Sequence, residues 1–206
     1  MLGLPKSTEI SKQLPKKSIY AKFMMNNAQK ERFDADISKI VIVNEISAQT
    51  TIIPKGENVS AFYVLLISLK TKEYDERNII SLSKLIPQKM LMVLEYEDSC
   101  RLAIFHTRLI QSAWQKTAEC SVELNGISLD AAWENIVKQV GGIVVEDGKN
   151  LDEQIVADER RAKIMKEIEK LEKLARAERQ PKKKFEIVNK IKLLRIEMED
   201  TTNGQT

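Results

Sequence analysis

The chain has little of what disulfide-rich, metal-binding and membrane-spanning proteins need. Its two cysteines, Cys100 and Cys120, and its single histidine, His106, do not form the short paired motifs that hold zinc or frame a disulfide scaffold. No segment reaches the roughly 18 apolar residues of a membrane-spanning helix, and the first residues show no signal-peptide pattern. We therefore expect two buried free thiols, a structural His106, no metal, no cofactor, no membrane contact and a cytoplasmic location.

Recognisable catalytic motifs are also missing. A metal-dependent nuclease of the restriction type needs carboxylates and a lysine close to one strand. Glu57 and Lys70 flank one predicted strand, but at about 3.3 Å per residue they lie roughly 40 Å apart. Glu95 and Glu97 share one end of another strand, and Lys89 lies at its other end. We therefore predict no catalytic residue and lean towards a non-enzyme, with a divergent metal-dependent nuclease as an alternative.

Apolar residues make up 43% of the sequence, which is enough for a hydrophobic core. β-Branched and aromatic runs predict four main strands, at residues 38–46, 59–69, 90–96 and 101–107, the last two joined as a hairpin. Two shorter strands are predicted at 50–53 and 121–124. The run from Ala61 to Ile67 is apolar throughout, which is typical of a central strand that is buried on both faces.

Capping residues and helical spacing predict the helices of the same domain. A short helix capped by Ser7 or Thr8 is expected to end at Pro15, and an extended segment is expected from there to residue 23. Three further helices are expected at 27–35, capped by Asn26 or Asn27, at 74–85, capped by Asp75, and at 131–140, capped by Asp130. Together these elements predict an α/β (α+β) domain over residues 1–147, with a mixed β-sheet and packed helices.

Composition changes after Gly148, and the remaining chain is strongly helical in character. Residues 151–179 contain no Gly or Pro, and Gln180-Pro181 interrupts the pattern before it resumes. Apolar residues alternate by three and four to form a seam, which comprises Ile164, Ile168, Leu171, Ile187, Ile191 and Leu194. We predict an antiparallel helical hairpin or a kinked coiled-coil arm over 151–199, then a disordered tail over 200–206.

The seam allows two interpretations. The two helices satisfy each other if they pair within one chain, which is the simpler arrangement. If the arm opens, the same apolar stripes bind a partner helix or a second copy, and the protein is then a homodimeric scaffold.

Charge is the strongest local signal. Residues 160–195 carry 14 Lys or Arg and five Asp or Glu, a local net charge of +9 in a chain whose total is +3. The charge is densest around the break between the helices, at Arg176, Arg179, Lys182, Lys183 and Lys184. Such a cluster has three interpretations: a surface that contacts DNA phosphates, a surface that contacts an acidic protein, or a solvated helix surface without a partner. No aromatic residues are interleaved with it, which disfavours single-stranded nucleic acid.

Four segments of the sequence resemble one known family. They are the opening Leu-Pro-Lys-Ser-Thr-Glu-Ile, Lys39-Ile-Val-Ile-Val-Asn-Glu-Ile-Ser, the Ile86-Pro87 step, and Arg179-Gln-Pro-Lys-Lys-Lys-Phe-Glu. The chain is similar to the bacterial domain-of-unknown-function family 4391, whose genes are often found beside restriction or phage-defence methyltransferases and helicases. The resemblance implies a non-enzymatic accessory subunit that docks on a helicase or DNA methyltransferase, and it transfers no catalytic residues.

Overall fold

In the computed structural model, which describes residues 2–202 with side chains up to Met198, a seven-stranded mixed β-sheet organises the first of two units. These units are Met1–Ile143 and Val144–Thr206. The strands are β1 (Glu9–Gln13), β2 (Ile37–Ser47), β3 (Ala61–Leu69), β4 (Lys89–Tyr96), β5 (Ser99–Phe105), β6 (Leu109–Gln111) and β7 (Gln115–Lys116). The helices of this unit are α1 (Lys16–Lys22), α2 (Asn27–Asp36), α3 (Glu76–Ser83) and α4 (Leu129–Gly141).

The sheet has the order β1-β2-β3-β4-β5-β6, with β7 pairing to β5. β2 and β3 are antiparallel, and β4 runs parallel to β3 because α3 carries the chain back between them. β4 and β5 form the predicted antiparallel hairpin. The predicted fold class, a mixed sheet with packed helices followed by C-terminal helices, is confirmed.

The central strand β3 is covered on both faces. Leu65 and Ile67 belong to a core shared with α1, α2 and α3, which contribute Ile19, Phe33, Ile79 and Leu82. The alternate residue Phe62 faces α4, and its ring lies 5.3 Å from the Trp133 ring. Successive side chains of a strand point to opposite faces, so the continuous apolar run of β3 serves both layers of the core.

The N-terminal elements differ from those predicted. Residues 7–14 do not form a helix, because a 3₁₀ turn at Lys6–Thr8 leads into edge strand β1, which pairs with β2. The Thr8 hydroxyl holds this turn by donating to the Pro5 carbonyl at 2.7 Å. Pro15 begins a helix rather than ending one, since α1 follows it directly and a residue without an N–H is tolerated at a helix start.

Two predicted short strands are also wrong. At 50–53 the chain is held in a turn, where Thr50 donates its hydroxyl to the Glu45 carbonyl and Thr51 to the Ser47 carbonyl. At 121–124 only Ser121 makes a β-bridge, to Leu2. Hydroxyl side chains compete with sheet pairing in this way by satisfying backbone groups locally.

Helix caps at Asn26 and Asp75 are confirmed, but Asp130 is not the cap of α4. Ser128 caps that helix. The Asp130 carboxylate instead accepts hydrogen bonds from the backbone N–H groups of Glu57 (2.8 Å), Asn58 (3.2 Å) and Val59 (2.6 Å). Desolvation raises the pKa of Asp130, but these three donors outweigh it and hold the pKa below its ordinary value.

The C-terminal unit contains α5 (Leu151–Ala177) and α6 (Pro181–Thr202). Helix α6 therefore includes residues 200–202, which were predicted to start a disordered tail, and the rest of that tail, 203–206, lies outside the described residues. Within residues 2–202, none of the helices combines the length and apolarity needed to cross a bilayer.

We predict that the contributions of Gly56 and Asp130 to the stability of the fold are coupled. A Cβ at Gly56 would lie 2.3 Å from Asp130 Cγ, so Gly56→Ala is expected to push the carboxylate off its donors and lower the unfolding midpoint by about 5 °C. Asp130→Ala removes the same hydrogen bonds, so the double variant should be hardly less stable than either single variant. Thermal unfolding followed by the fluorescence of Trp114 and Trp133 measures this, and additive losses would contradict the coupling.

Candidate functional site at the tip of the helical hairpin

The candidate site is the turn between α5 and α6. Helix α5 begins with a capping box, in which Asn150 and Glu153 exchange hydrogen bonds between side chain and backbone. It ends at Ala177, after which Glu178 is extended and Pro181 begins α6. Three connecting residues therefore reverse the chain, and the break at Gln180-Pro181 is a turn of a hairpin rather than a kink in one arm.

Three ion pairs join the shafts of the two helices. Arg160 contacts Glu197 at 2.7 Å, and the others are Lys190–Glu167 at 2.7 Å and Arg195–Glu172 at 2.9 Å. Because a residue near the start of α5 meets one near the end of α6, the helices are antiparallel. Every partner is substantially exposed, so each pair contributes at most about 1 kcal/mol and mainly helps to set the register.

The two helices of one chain bury the predicted seam between them. Ile164, Ile168 and Ile191 are buried between the helices. The half-buried residues packed around them are Leu171, Ile187, Leu194 and Met198. The structure thus brings all six predicted seam residues together, and a helix from another molecule would reach them only by displacing α5 or α6.

The predicted binding residues lie at the tip, which we define as Arg176, Arg179, Lys182, Lys183 and Lys184. All five side chains are exposed. Among the residues whose side chains are described, none of the five makes an ion pair, whereas five basic residues of the shafts do, namely Arg160, Arg161, Lys163, Lys190 and Arg195. Among the described side chains, the positive charge of the tip is therefore left without a compensating carboxylate.

The three lysines occupy an unfavourable place in α6. They lie in its first turn, where the helix macrodipole is positive, and that turn contains no acidic residue. A cation at this end costs about 0.3–1 kcal/mol, the reverse of the gain from an acidic residue there. The lysines and the dipole together concentrate positive potential at the tip, which suits an anionic partner.

Sequence reasoning overlooked an aromatic residue beside these lysines. Phe185 follows Lys184 directly, and 66% of its surface is exposed. Leu174, near the end of α5, is 49% exposed. The sequence did contain a signal of this exposure. Phe185 falls outside the three-four spacing of Ile187, Ile191 and Leu194, so it does not belong to the seam.

A second polar cluster fixes the segment that leads into α5. The Glu146 carboxylate contacts Lys149 at 2.6 Å and Arg161 at 2.8 Å, and its backbone N–H donates to Gln154 Oε1 at 3.1 Å. The side-chain hydrogen bonds from Lys149 and Arg161 lower the pKa of Glu146 from 4.5 to about 2. The cluster is thus a structural clamp on the base of the hairpin.

Other chemically reactive groups are scattered. Cys100 and Cys120 are free and buried, as predicted. Burial, with a hydrogen bond to Cys120, raises the pKa of Cys100 to about 12, so its thiol stays protonated and unreactive. His106 lies in a tight turn after β5, where its backbone N–H donates to the Arg108 carbonyl at 3.0 Å.

The acidic residues that the nuclease alternative would use do not converge. Glu57 precedes β3 and Lys70 follows its far end, while Glu95 lies in β4. Within residues 2–198, no three His, Cys, Asp or Glu side chains are arranged to hold a metal ion. Nothing in the described geometry therefore favours the nuclease alternative.

Comparison with known proteins finds one family. A family model described as "Domain of unknown function (DUF4391)" matches residues 2–198. No curated protein and no solved structure matches the chain. The match runs through both units, so the helical hairpin is part of the family pattern and not an addition peculiar to this chain.

We predict that the Glu146 clamp makes the hairpin sensitive to acid. The folded pKa lies below the unfolded one, so the clamp stabilises above about pH 4.5 and its contribution is lost as pH falls towards 2. Glu146→Gln should remove this dependence while lowering helix stability at pH 7. Thermal unfolding by circular dichroism at 222 nm, at pH 7 and pH 3, measures the difference.

Tryptophan fluorescence provides the control, because Trp114 and Trp133 both belong to the first unit. The fluorescence transition should be the same in the variant and the wild type. Equal loss of helix signal with falling pH in both proteins would show that Glu146 does not control the acid response.

Proposed function

The chain belongs to the DUF4391 family of domains of unknown function, and from this premise and the hairpin geometry we propose that it is a non-enzymatic accessory subunit of a bacterial DNA-modification, restriction or phage-defence system. The exposed tip of the hairpin contacts the DNA backbone. The remainder of the protein docks on a larger component, a helicase or a DNA methyltransferase.

One observation carries the DNA contact: five exposed cations without ion-pair partners among the described residues lie at the turn of the hairpin. DNA presents a regular array of phosphates, and each phosphate neutralised by Lys or Arg releases condensed counterions. A solvated helix surface would explain exposed lysines, but it does not explain three of them at the positive end of α6, where they destabilise the helix. This placement favours a role in binding over a role in stability.

The proposed association with a DNA-modification, restriction or phage-defence system rests on the family resemblance and not on the hairpin. The resemblance of the sequence to this family implies an association with methyltransferases and helicases of restriction or phage-defence type. The absence of a recognisable catalytic motif in the sequence favours an accessory subunit over an enzyme. Phosphate contacts carry no sequence information, so the DNA specificity of such an assembly would come from the larger component.

We predict that DNA binding depends on the tip. Reversing its lysines in K182E/K183E/K184E should abolish detectable binding to a fluorescein-labelled duplex, measured by anisotropy. In the wild type, contacts from the five tip cations should give a slope of log K against log salt of about −4.5, at roughly 0.9 per phosphate. The triple variant should also unfold at a higher temperature, because its first helical turn then suits the dipole.

The matched control is K166E/K170E/K173E, which changes the charge by the same amount on the exposed side of α5. It should weaken binding by a small factor, since general attraction falls with net charge. Equal loss of binding in both variants would mean that overall charge, and not the tip, attracts DNA. A slope near zero would rule out phosphate contacts.

The docking partner is tested separately. The full chain, used as bait in extracts of its native host with nuclease added, should retain a helicase or methyltransferase, because a protein contact survives removal of DNA. Loss of every such component on nuclease treatment would leave a DNA-binding protein that is not a subunit.

A further inference from the structure

A small cleft lies between helices α2 and α3 of the first unit, and its volume is about 140 Å³. Each helix contributes one arginine to the lining, Arg32 from α2 and Arg77 from α3. Gln29 also lines the cleft and lies one turn before Arg32, on the same side of α2. We call this space the arginine cleft.

Neither arginine of the cleft has an anionic partner among the described residues. The Arg32 guanidinium makes one hydrogen bond, from Nε to the Ala28 carbonyl of its own helix at 3.3 Å. Asp36 lies four residues after Arg32, at the spacing where an ion pair within a helix would form. Its carboxylate is bonded to groups at the start of α3 instead. Most donors of the two guanidinium groups are therefore unused by the described part of the chain.

Asp36 fixes the two walls of the cleft to each other. Its Oδ2 accepts hydrogen bonds from the Asp75 backbone N–H at 2.8 Å and from Asn78 Nδ2 at 2.7 Å. Gln29 is fixed by the capping box of α2, in which its Oε1 accepts from the Asn26 N–H at 2.9 Å. The amide nitrogen of Gln29 is left as a further donor. Because the backbone of both walls is held in place, little of it has to be ordered when a ligand binds.

We propose that the arginine cleft is a binding site for a terminal phosphate group. Arg32 and Arg77 donate to the phosphate oxygens from the two walls, and Gln29 Nε2 donates to a further oxygen. This site lies in the first unit, goes beyond the proposed function and does not depend on DNA contact at the tip.

The donors and the size of the cleft favour phosphate over other anions. The planar fork of one arginine already satisfies both oxygens of a carboxylate, whereas two arginines on different helices suit a group with more oxygens. A cavity of about 150 Å³ holds a molecule of six heavy atoms, so 140 Å³ accommodates the five of a phosphate group. A phosphate within a DNA strand is joined to sugars on two sides and does not fit a space of this size.

One negative charge in the cleft opposes binding. Asp75 belongs to the lining, where its carboxylate caps α3 by accepting from the Arg77 backbone N–H at 2.9 Å. The charged residues of the lining are thus two arginines and one aspartate, a net charge of 2 − 1 = +1. We therefore expect modest affinity, with a dissociation constant on the order of 1 mM.

NMR titration of the full chain with sodium phosphate, at an ionic strength held constant with sodium chloride, is the first test. The backbone amide resonances of α2 and α3 should shift and saturate, and R32Q and R77Q should each weaken binding at least about tenfold. The matched control is R108Q, which removes the same charge from an exposed position between β5 and β6 and should bind as the wild type does.

Three results of this titration would overturn the proposal. The first is that α2 and α3 show no saturable shift up to about 20 mM phosphate, well above the expected dissociation constant. The second is that only resonances of the hairpin tip respond, which would leave the proposed DNA contact intact. The third is that R108Q weakens binding as much as R32Q and R77Q do, which would mean that overall charge attracts the anion.

Asp75→Asn changes the charge of the cleft in the opposite direction. Asparagine caps a helix as well as aspartate does, so α3 should remain folded by circular dichroism. Phosphate should bind about fivefold more tightly, because a like charge a few ångströms from the anion is removed. Affinity equal to or weaker than that of the wild type, in a folded D75N variant, would contradict the site.

A terminal phosphate group belongs either to the free phosphate ion or to a phosphate monoester. Titrations with adenosine 5′-monophosphate and with adenosine distinguish these sources. Tighter binding of the monophosphate than of phosphate would identify a phosphorylated metabolite as the ligand, and equal affinities would identify the free ion. Adenosine should not shift the α2 and α3 resonances, and adenosine that binds as tightly as its monophosphate would refute recognition of the phosphate group.

Discussion

The fold depends on the burial of one strand on both faces. β3 pairs with β2 on one side and β4 on the other, and its alternating side chains enter the cores on the two faces of the sheet. A strand with both faces buried cannot slip in register by one residue without placing every side chain in a new environment. Because β4 runs parallel to β3, the chain between them must cross one face of the sheet, and α3 lies in this connection and covers that face. Helix α4 covers the other face of the sheet.

The hairpin is organised by a different principle. Its helices are specified locally, by strong helix formers and by a capping box at the start of α5, and they are held together by a narrow apolar seam. The seam leaves most of the surface of each helix free. This is why one short segment carries a cluster of lysines and an exposed aromatic residue without disturbing the packing.

The sequence was informative where a signal is local and periodic. The apolar run of β3, the C-terminal helices and the caps at Asn26 and Asp75 were all correctly predicted for this reason. Errors arose where distant contacts decide the outcome. Strand β1 exists because β2 is beside it, and Asp130 binds the turn before β3 instead of capping its own helix. In the candidate site, the cations were predictable from composition, but the exposure of Phe185 and the lack of ion-pair partners for the cations among the described side chains depend on which helix faces the seam covers.

The turn between the helices contains no glycine, and its backbone is tied at several points. The N–H of Glu178 donates to the Leu174 carbonyl at 2.9 Å, the N–H of Gln180 donates to the Glu178 carboxylate at 2.8 Å, and the N–H of Lys184 donates to the Gln180 carbonyl at 3.0 Å. A preorganised turn loses little conformational entropy when it engages a ligand, so the ordering cost of binding falls mainly on the flexible lysine and arginine side chains. The hairpin thus holds the backbone of its charged residues in a fixed arrangement before any contact is made, and the shape of a partner, as well as its charge, determines whether it fits.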